Sequence, residues 1–105
     1  MSGSAEQGTH RIEIVYCRLC GWLLRASWMA QELLSTFAEE LAAVALIPDA
    51  SGGRFEVRVD GELVWSRKER NRFPDIAELK RIVRDRVAPD RNLGHVDKRS
   101  APATE

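Results

Sequence analysis

The sequence predicts an α/β domain: a four-stranded mixed sheet in the order β-α-β-β-β-α, with both helices packed on one face. Three observations carry that prediction. The hydrophobic period changes from two to about 3.6 across Tyr16-Cys17-Arg18-Leu19-Cys20-Gly21-Trp22. Two clean strand patterns flank Asp60-Gly61, a hairpin turn pair. A second helical stripe, opened by Phe73-Pro74-Asp75, closes the pattern before Pro89.

The elements follow in order. Met1 to His10 is small, polar and glycine-containing and reads as a mobile leader (residues 1–10). Arg11 to Tyr16 is β-branched and aromatic, with Ile12, Ile14 and Tyr16 on one side of a two-residue alternation. From Leu23 the apolar residues fall at Ala26, Ala30, Leu33, Leu34, Phe37 and Leu41, one face of a helix running from about Gly21 to Leu41. Ala43 to Pro48 is a nearly continuous apolar run. It suits either a strand buried on both faces or an edge strand that tolerates Pro48 at its end. Strand, helix and strand then make a parallel pair with a right-handed crossover.

Asp49 to Gly53 is a loop by composition. Phe55 to Val59 and Glu62 to Ser66 form the hairpin. In an unbroken two-residue hairpin Val57 faces Val64, Glu56 faces Trp65 and Arg58 faces Leu63. That register places Leu63 and Trp65 on the sheet face without helices, as a surface for a weak homodimer or a protein partner. Arg67 to Arg72 reads as a solvated charged loop, contact with an acidic partner or nucleic acid being the alternative. In the last helix Asp75 caps, Glu78 reaches back to the cap backbone, and Ile76, Leu79, Val83 and Val87 form the buried stripe. Residues 11–89 therefore make one domain, and residues 90–105 a flexible polar tail.

Composition narrows the function. The 105 residues hold 16 basic and 16 acidic side chains, so no overall field draws the chain to nucleic acid or an anionic membrane. No apolar run reaches the length of a membrane span, and the first residues lack the apolar core of a signal peptide, which predicts a cytoplasmic protein. Cysteines there rest reduced, which suits a reactive pair better than a structural bridge.

Both cysteines lie in Cys17-x-x-Cys20, at the strand-to-helix turn. A helix opening at the second cysteine would bring free N–H groups and the positive end of its dipole to the sulfur, favouring thiolate. One thiolate can attack a disulfide and the other resolve the mixed disulfide. Inert thiols are the alternative. A zinc site has only His10 and His95 to add, one in each terminal segment, so no metal is expected. Around the motif, Arg18 within it, Gly21 and Trp22 after it and Phe73 from the distant segment are candidates for a substrate or partner surface, a merely solvated side chain being the alternative for Arg18. For Trp22 plain packing is the alternative.

The order of elements is that of a thioredoxin-like core without its central helix. Val15-Tyr16-Cys17-Arg18-Leu19-Cys20-Gly21, Arg25-Ala26, Glu32-Leu33-Leu34, Phe55-Glu56-Val57, Asp60-Gly61 and Phe73-Pro74 together resemble the selenoprotein W-like (Rdx) proteins. The resemblance implies a thioredoxin-like fold and a redox role involving a protein thiol or disulfide partner or glutathione, the latter a candidate reductant, with no bound cofactor and no settled reaction. Many relatives carry selenocysteine where this chain has Cys20, which implies that Cys20 attacks and Cys17 resolves; thioredoxin-like turns, whose first cysteine is the more exposed, favour the opposite order with Cys17 attacking. Ser51-Gly52-Gly53-Arg54 stands where true thioredoxins place a cis-proline, so their broad disulfide reductase activity is not implied. Two functions remain open: a thiol–disulfide oxidoreductase, and a module whose affinity for a protein changes when the pair oxidises.

Overall fold

The computed structural model describes residues 8–94. The leader up to residue 7 and the tail from residue 95, including His95, lie outside the described residues. The elements are β1 (His10–Cys17), α1 (Leu23–Thr36), β2 (Leu41–Asp49), β3 (Phe55–Val59), β4 (Glu62–Ser66), α2 (Arg67–Arg70) and α3 (Ile76–Val87). The strands form one mixed sheet in the order β2-β1-β3-β4. β1 runs parallel to β2 and antiparallel to β3, and β3 is antiparallel to β4.

One core holds the two long helices against the sheet. Ile12, Ile14 and Tyr16 of β1 meet Phe55, Val57, Val59 and Trp65 from the hairpin, with Ala26, Met29 and Leu33 of α1 and Leu79 and Val83 of α3 above them. Burying each large apolar side chain contributes about 1.5–3 kcal/mol. Lys80 Nζ also donates to Glu32 Oε1 at 2.8 Å, linking α3 to α1. β2 lies at the sheet edge, so of the two readings of the apolar run the edge strand is the one observed.

Four elements depart from the sequence expectations. The first is α1, which ends at Thr36 rather than Leu41 although Phe37 to Leu41 are good helix formers. Pairing along β1 recruits Leu41 into β2, opposite His10, and overrides local propensity.

The second is the hairpin. Asp60 and Gly61 have φ of 52° and 86°, as a two-residue turn with both central residues left-handed requires. A bulge then breaks the register: Arg58 faces Leu63, but Val57 faces Trp65 and Glu56 faces Ser66, so Val64 is the extra residue. Trp65 is therefore not on the open face. It is 1% exposed and belongs to the core, its indole Nε1 donating to the Arg72 carbonyl at 3.1 Å. The expected Leu63–Trp65 surface patch is not formed. An unbroken ladder would have left the largest side chain of the hairpin in water, and burying it outweighs the loss of regular pairing.

The third is the segment after β4. Arg67–Arg70 is a single helical turn rather than a loop, with Ser66 Oγ accepting from the Glu69 N–H at 3.4 Å and Asn71 left-handed at its end. The fourth is the start of α3. Asp75 occupies the cap position without the expected side-chain cap bond; Glu78 does reach back to the Asp75 backbone as expected, and also takes a two-pronged pair from Arg72, both contacts at 3.0 Å.

Both presumed termini are partly built into the fold. His10 begins β1, its Nδ1 2.7 Å from Asp60 Oδ2. Gly8 lies so close to the Glu40–Leu41 peptide that a Cβ there would overlap it. Past α3, Arg91 bonds Glu40 and lies over the Phe37 ring, and Leu93 packs against the core.

The corrected register makes a clear prediction. Trp65→Ala should cost about 3–5 kcal/mol in urea unfolding, as a large buried side chain does. Leu63→Ser should cost less than about 1 kcal/mol, as partly exposed positions do. The unbroken register would require the reverse order.

Candidate functional site

Cys17 is the last residue of β1 and Cys20 lies in the turn that follows. The two are joined by a disulfide, with Cα atoms 5.3 Å apart. The Arg18 N–H donates to the Asp49 carbonyl at 3.0 Å, continuing the β1–β2 ladder one step past the strand. The Gly21 N–H closes the turn onto the Arg18 carbonyl at 3.5 Å, and Gly21 has φ of 75°. The backbone thus reverses hand at Gly21 before the helix begins. Only then comes Trp22 as cap residue and Leu23 as the first residue of α1.

This geometry corrects one expectation: the helix does not open at Cys20. Cys20 lies two residues before the cap, where the helix dipole acts more weakly. The two cysteines also differ in access. Cys17 is 0% exposed, whereas Cys20 is exposed, along with Arg18, Leu19 and Gly21.

Trp22 and Phe73, 51 positions apart in sequence, meet edge-to-face with ring centroids 4.8 Å apart. Phe55 completes the cluster, 5.1 Å from Phe73 and 6.4 Å from Trp22. Trp22 is half-buried and packs on the core, so it is both a packing residue and a wall beside the motif. Guanidinium groups cover these rings: Arg25 lies 4.1 Å from the Phe73 centroid, and Arg67 lies 5.0 Å from Trp22 and 5.2 Å from Phe73. Such stacking contributes about 0.5–2 kcal/mol per contact, depending on exposure. Sequence reasoning missed the roles of Arg25 and Phe55, and named Arg67 only within a charged run. No spacing could reveal Arg67, because only the folding of β4 and α2 carries it to Trp22.

The loop from Ser51 to Arg54 is braced by charge. Arg54 pairs with Asp49 at 3.2 Å and Glu56 at 3.0 Å, and Arg58 also reaches Glu56 at 3.1 Å. Hydrogen bonds from the Ser51 hydroxyl and backbone, then Arg54, hold the Asp49 carboxyl below its ordinary value. Hydrogen bonding to Arg54, with Arg58 beside it, does the same for Glu56. No three His, Cys, Asp or Glu side chains among the described residues converge as a metal site. None of the described helices is long and apolar enough to cross a membrane.

A mixed sheet with two long helices and a disulfide-bonded Cys-x-x-Cys at the end of its central strand defines a thioredoxin-like domain. The chain belongs to the Rdx family, whose model matches residues 11–85. A selenoprotein W-related protein from Vibrio cholerae is similar in structure, with a TM-score of 0.73 and 50% identity over 76% of this chain and 99% of that one. A protein from Bordetella parapertussis superposes with a TM-score of 0.71 and 51% identity, covering 73% of this chain and 96% of its own. Among curated relatives, migration and invasion enhancer 1 of Mus musculus is 33% identical over 81 residues, which is 76% of this chain and 66% of the relative. The Bos taurus protein of the same name is 33% identical over 85 residues, 78% of this chain and 70% of its own length.

Two outcomes test the local geometry. Gly21→Ala forces a side chain into left-handed backbone and should cost about 1–2 kcal/mol in chemical denaturation of the disulfide form. The depressed Asp49 and Glu56 values stabilise the fold above the ordinary 3.8 and 4.5, and that contribution is lost as pH falls through the lower folded values. A carboxyl titration followed by NMR should therefore place both midpoints below those ordinary values, and Arg54→Gln should raise both, Glu56 more.

Proposed function

We propose that this protein is a thiol–disulfide redox protein that cycles Cys17 and Cys20 between dithiol and disulfide, with glutathione as reductant. The observation that carries the reading is the pairing of one exposed and one buried cysteine within a single turn. The exposed Cys20 thiolate attacks a substrate disulfide, forming a mixed disulfide and releasing one substrate thiolate. The Cys17 thiolate then attacks the Cys20 sulfur, forming the internal disulfide and releasing the second substrate thiolate. Two glutathione molecules return the pair to dithiol and leave as glutathione disulfide. We place this cycle in the cytoplasm, where glutathione is abundant and cysteine pairs rest reduced.

A second reading has its own support. Leu24 is 82% exposed and Leu19 is 65% exposed, with Leu23 and Trp28 also on the surface of the motif and α1. Exposed apolar side chains beside a redox pair suit a module that binds a protein in one oxidation state only. The two readings differ in turnover. Incubated with glutathione and a small disulfide, an oxidoreductase sustains consumption, whereas a switch oxidises stoichiometrically and stops.

The order of attack is tested with the single variants. Cys17→Ser, which keeps Cys20, should react with an alkylating agent near neutral pH about tenfold or more faster than Cys20→Ser, because only its thiol is accessible. Faster reaction of Cys20→Ser would assign attack to Cys17.

A further inference from the structure

A cavity of about 470 Å³ lies at the same end of the sheet as the motif, walled by the Ser51–Glu56 segment on one side and by Ser66, Arg67, Lys68 and Asn71 on the other. Two of its lining residues, Phe55 and Arg67, also touch Trp22, which follows Cys20 by two positions. The cavity and the pair are thus joined through one aromatic side chain.

The charges around this cavity do not cancel evenly. On the Ser51–Glu56 side, Arg54 and Arg58 are taken up by Asp49 and Glu56, which balances that wall. On the other side nothing answers Arg67. Its guanidinium lies over the Trp22 and Phe73 rings, and its Nε is buried with no hydrogen-bond acceptor. No carboxylate among the described residues pairs with it, and the exposed Lys68 next to it adds a second positive charge to the same wall. A buried donor without an acceptor costs about 1–3 kcal/mol. An arginine held in this way on aromatic faces keeps a planar fork suited to a carboxylate.

The geometry points to a carboxylate subsite: Arg67, assisted by Lys68, receives a carboxylate of the small thiol or disulfide that reacts at Cys20. This deepens the redox reading above and rests on it. It names the substrate class as anionic thiols such as glutathione, which carries two carboxylates, rather than neutral or cationic ones. A carboxylate in the cavity would supply the acceptor that Arg67 lacks, and the remainder of the molecule would extend past Trp22 toward the exposed cysteine. Arg67 is a positioning residue here, because it acts on a part of the substrate remote from the sulfur.

The test uses S-methylglutathione, which carries the carboxylates but no thiol, and so separates binding from redox chemistry. Titrated into the full-length disulfide form and followed by NMR, it should shift the Gly52, Gly53 and Asn71 amides and the Trp22 indole saturably. Arg67→Gln should weaken binding about tenfold or more, the scale of a lost charge-assisted hydrogen bond. Arg67→Lys should bind between the two, and Lys68→Gln, an exposed change that leaves the aromatic cluster intact, should weaken binding about threefold. The dimethyl ester of the probe should not bind. The assignment is overturned by an absence of saturable shifts, by equal binding of the ester, by Arg67→Gln and Lys68→Gln both binding as tightly as the wild type, or by inorganic phosphate binding as well as the probe. Failure of the redox reading appears elsewhere, as a pair that never exchanges with glutathione buffers while the probe still binds.

Discussion

The double pairing of β1 is the constraint on which the remainder of the molecule depends. This strand is hydrogen-bonded to β2 along one side and to β3 along the other, so neither of its edges is free. Its alternate residues Ile12, Ile14 and Tyr16 form the floor of the core, and its last residue is Cys17. The position of the first sulfur is therefore set by the most constrained backbone in the domain. The turn beyond it is free to present Cys20, because only Gly21 and Trp22 separate that residue from the helix. A rigid buried cysteine and a presented exposed one follow from where the central strand stops.

Around this end of the sheet, arginines serve two different purposes. Arg54 and Arg58 are tied into carboxylates and hold the Ser51–Arg54 loop in shape. Arg25 and Arg67 lie on aromatic rings instead. Cation–π stacking fixes a guanidinium in position without neutralising it, whereas an ion pair does both. The neighbourhood of the motif consequently keeps a positive character even though the whole chain has no net charge.

Much of this was legible in the sequence because period and turn chemistry agreed. Asp60-Gly61 specified its turn through the left-handed backbone both residues accept, and Leu79, Val83 and Val87 of the expected stripe are buried in α3, with Ala77 buried and Ile76 only half-buried. The motif was visible because the hydrophobic period changes across it. The failures lie where two patterns competed. Leu63-Val64-Trp65 is apolar on both faces of a strand, so alternation alone cannot choose a register, and the choice fell to the volume of Trp65. Phe37 to Leu41 favours helix locally, but Leu41 is claimed by β1 through its pairing with His10, and the four residues before it form a turn. The cluster of Trp22, Phe55, Phe73 and Arg67 draws on four separate segments, and its members carry no shared spacing. Long-range juxtaposition is what a single sequence hides.

The edge position of β2 has a consequence for the life of the chain outside its native state. Leu41 to Ile47 carries no charged side chain, has strong β-propensity in Val44 and Ile47, and borders solvent on one hydrogen-bonding edge. Such a strand is a template for pairing with another molecule. Its guards are local: Pro48 removes a donor near the end of the strand, Asp49 adds charge beside it, and α1 lies across one face. Of these, only α1 can detach. Damage that loosens α1, including changes at Gly21 where the helix is aimed, would therefore appear first as aggregation seeded at β2, before any loss of the sheet itself.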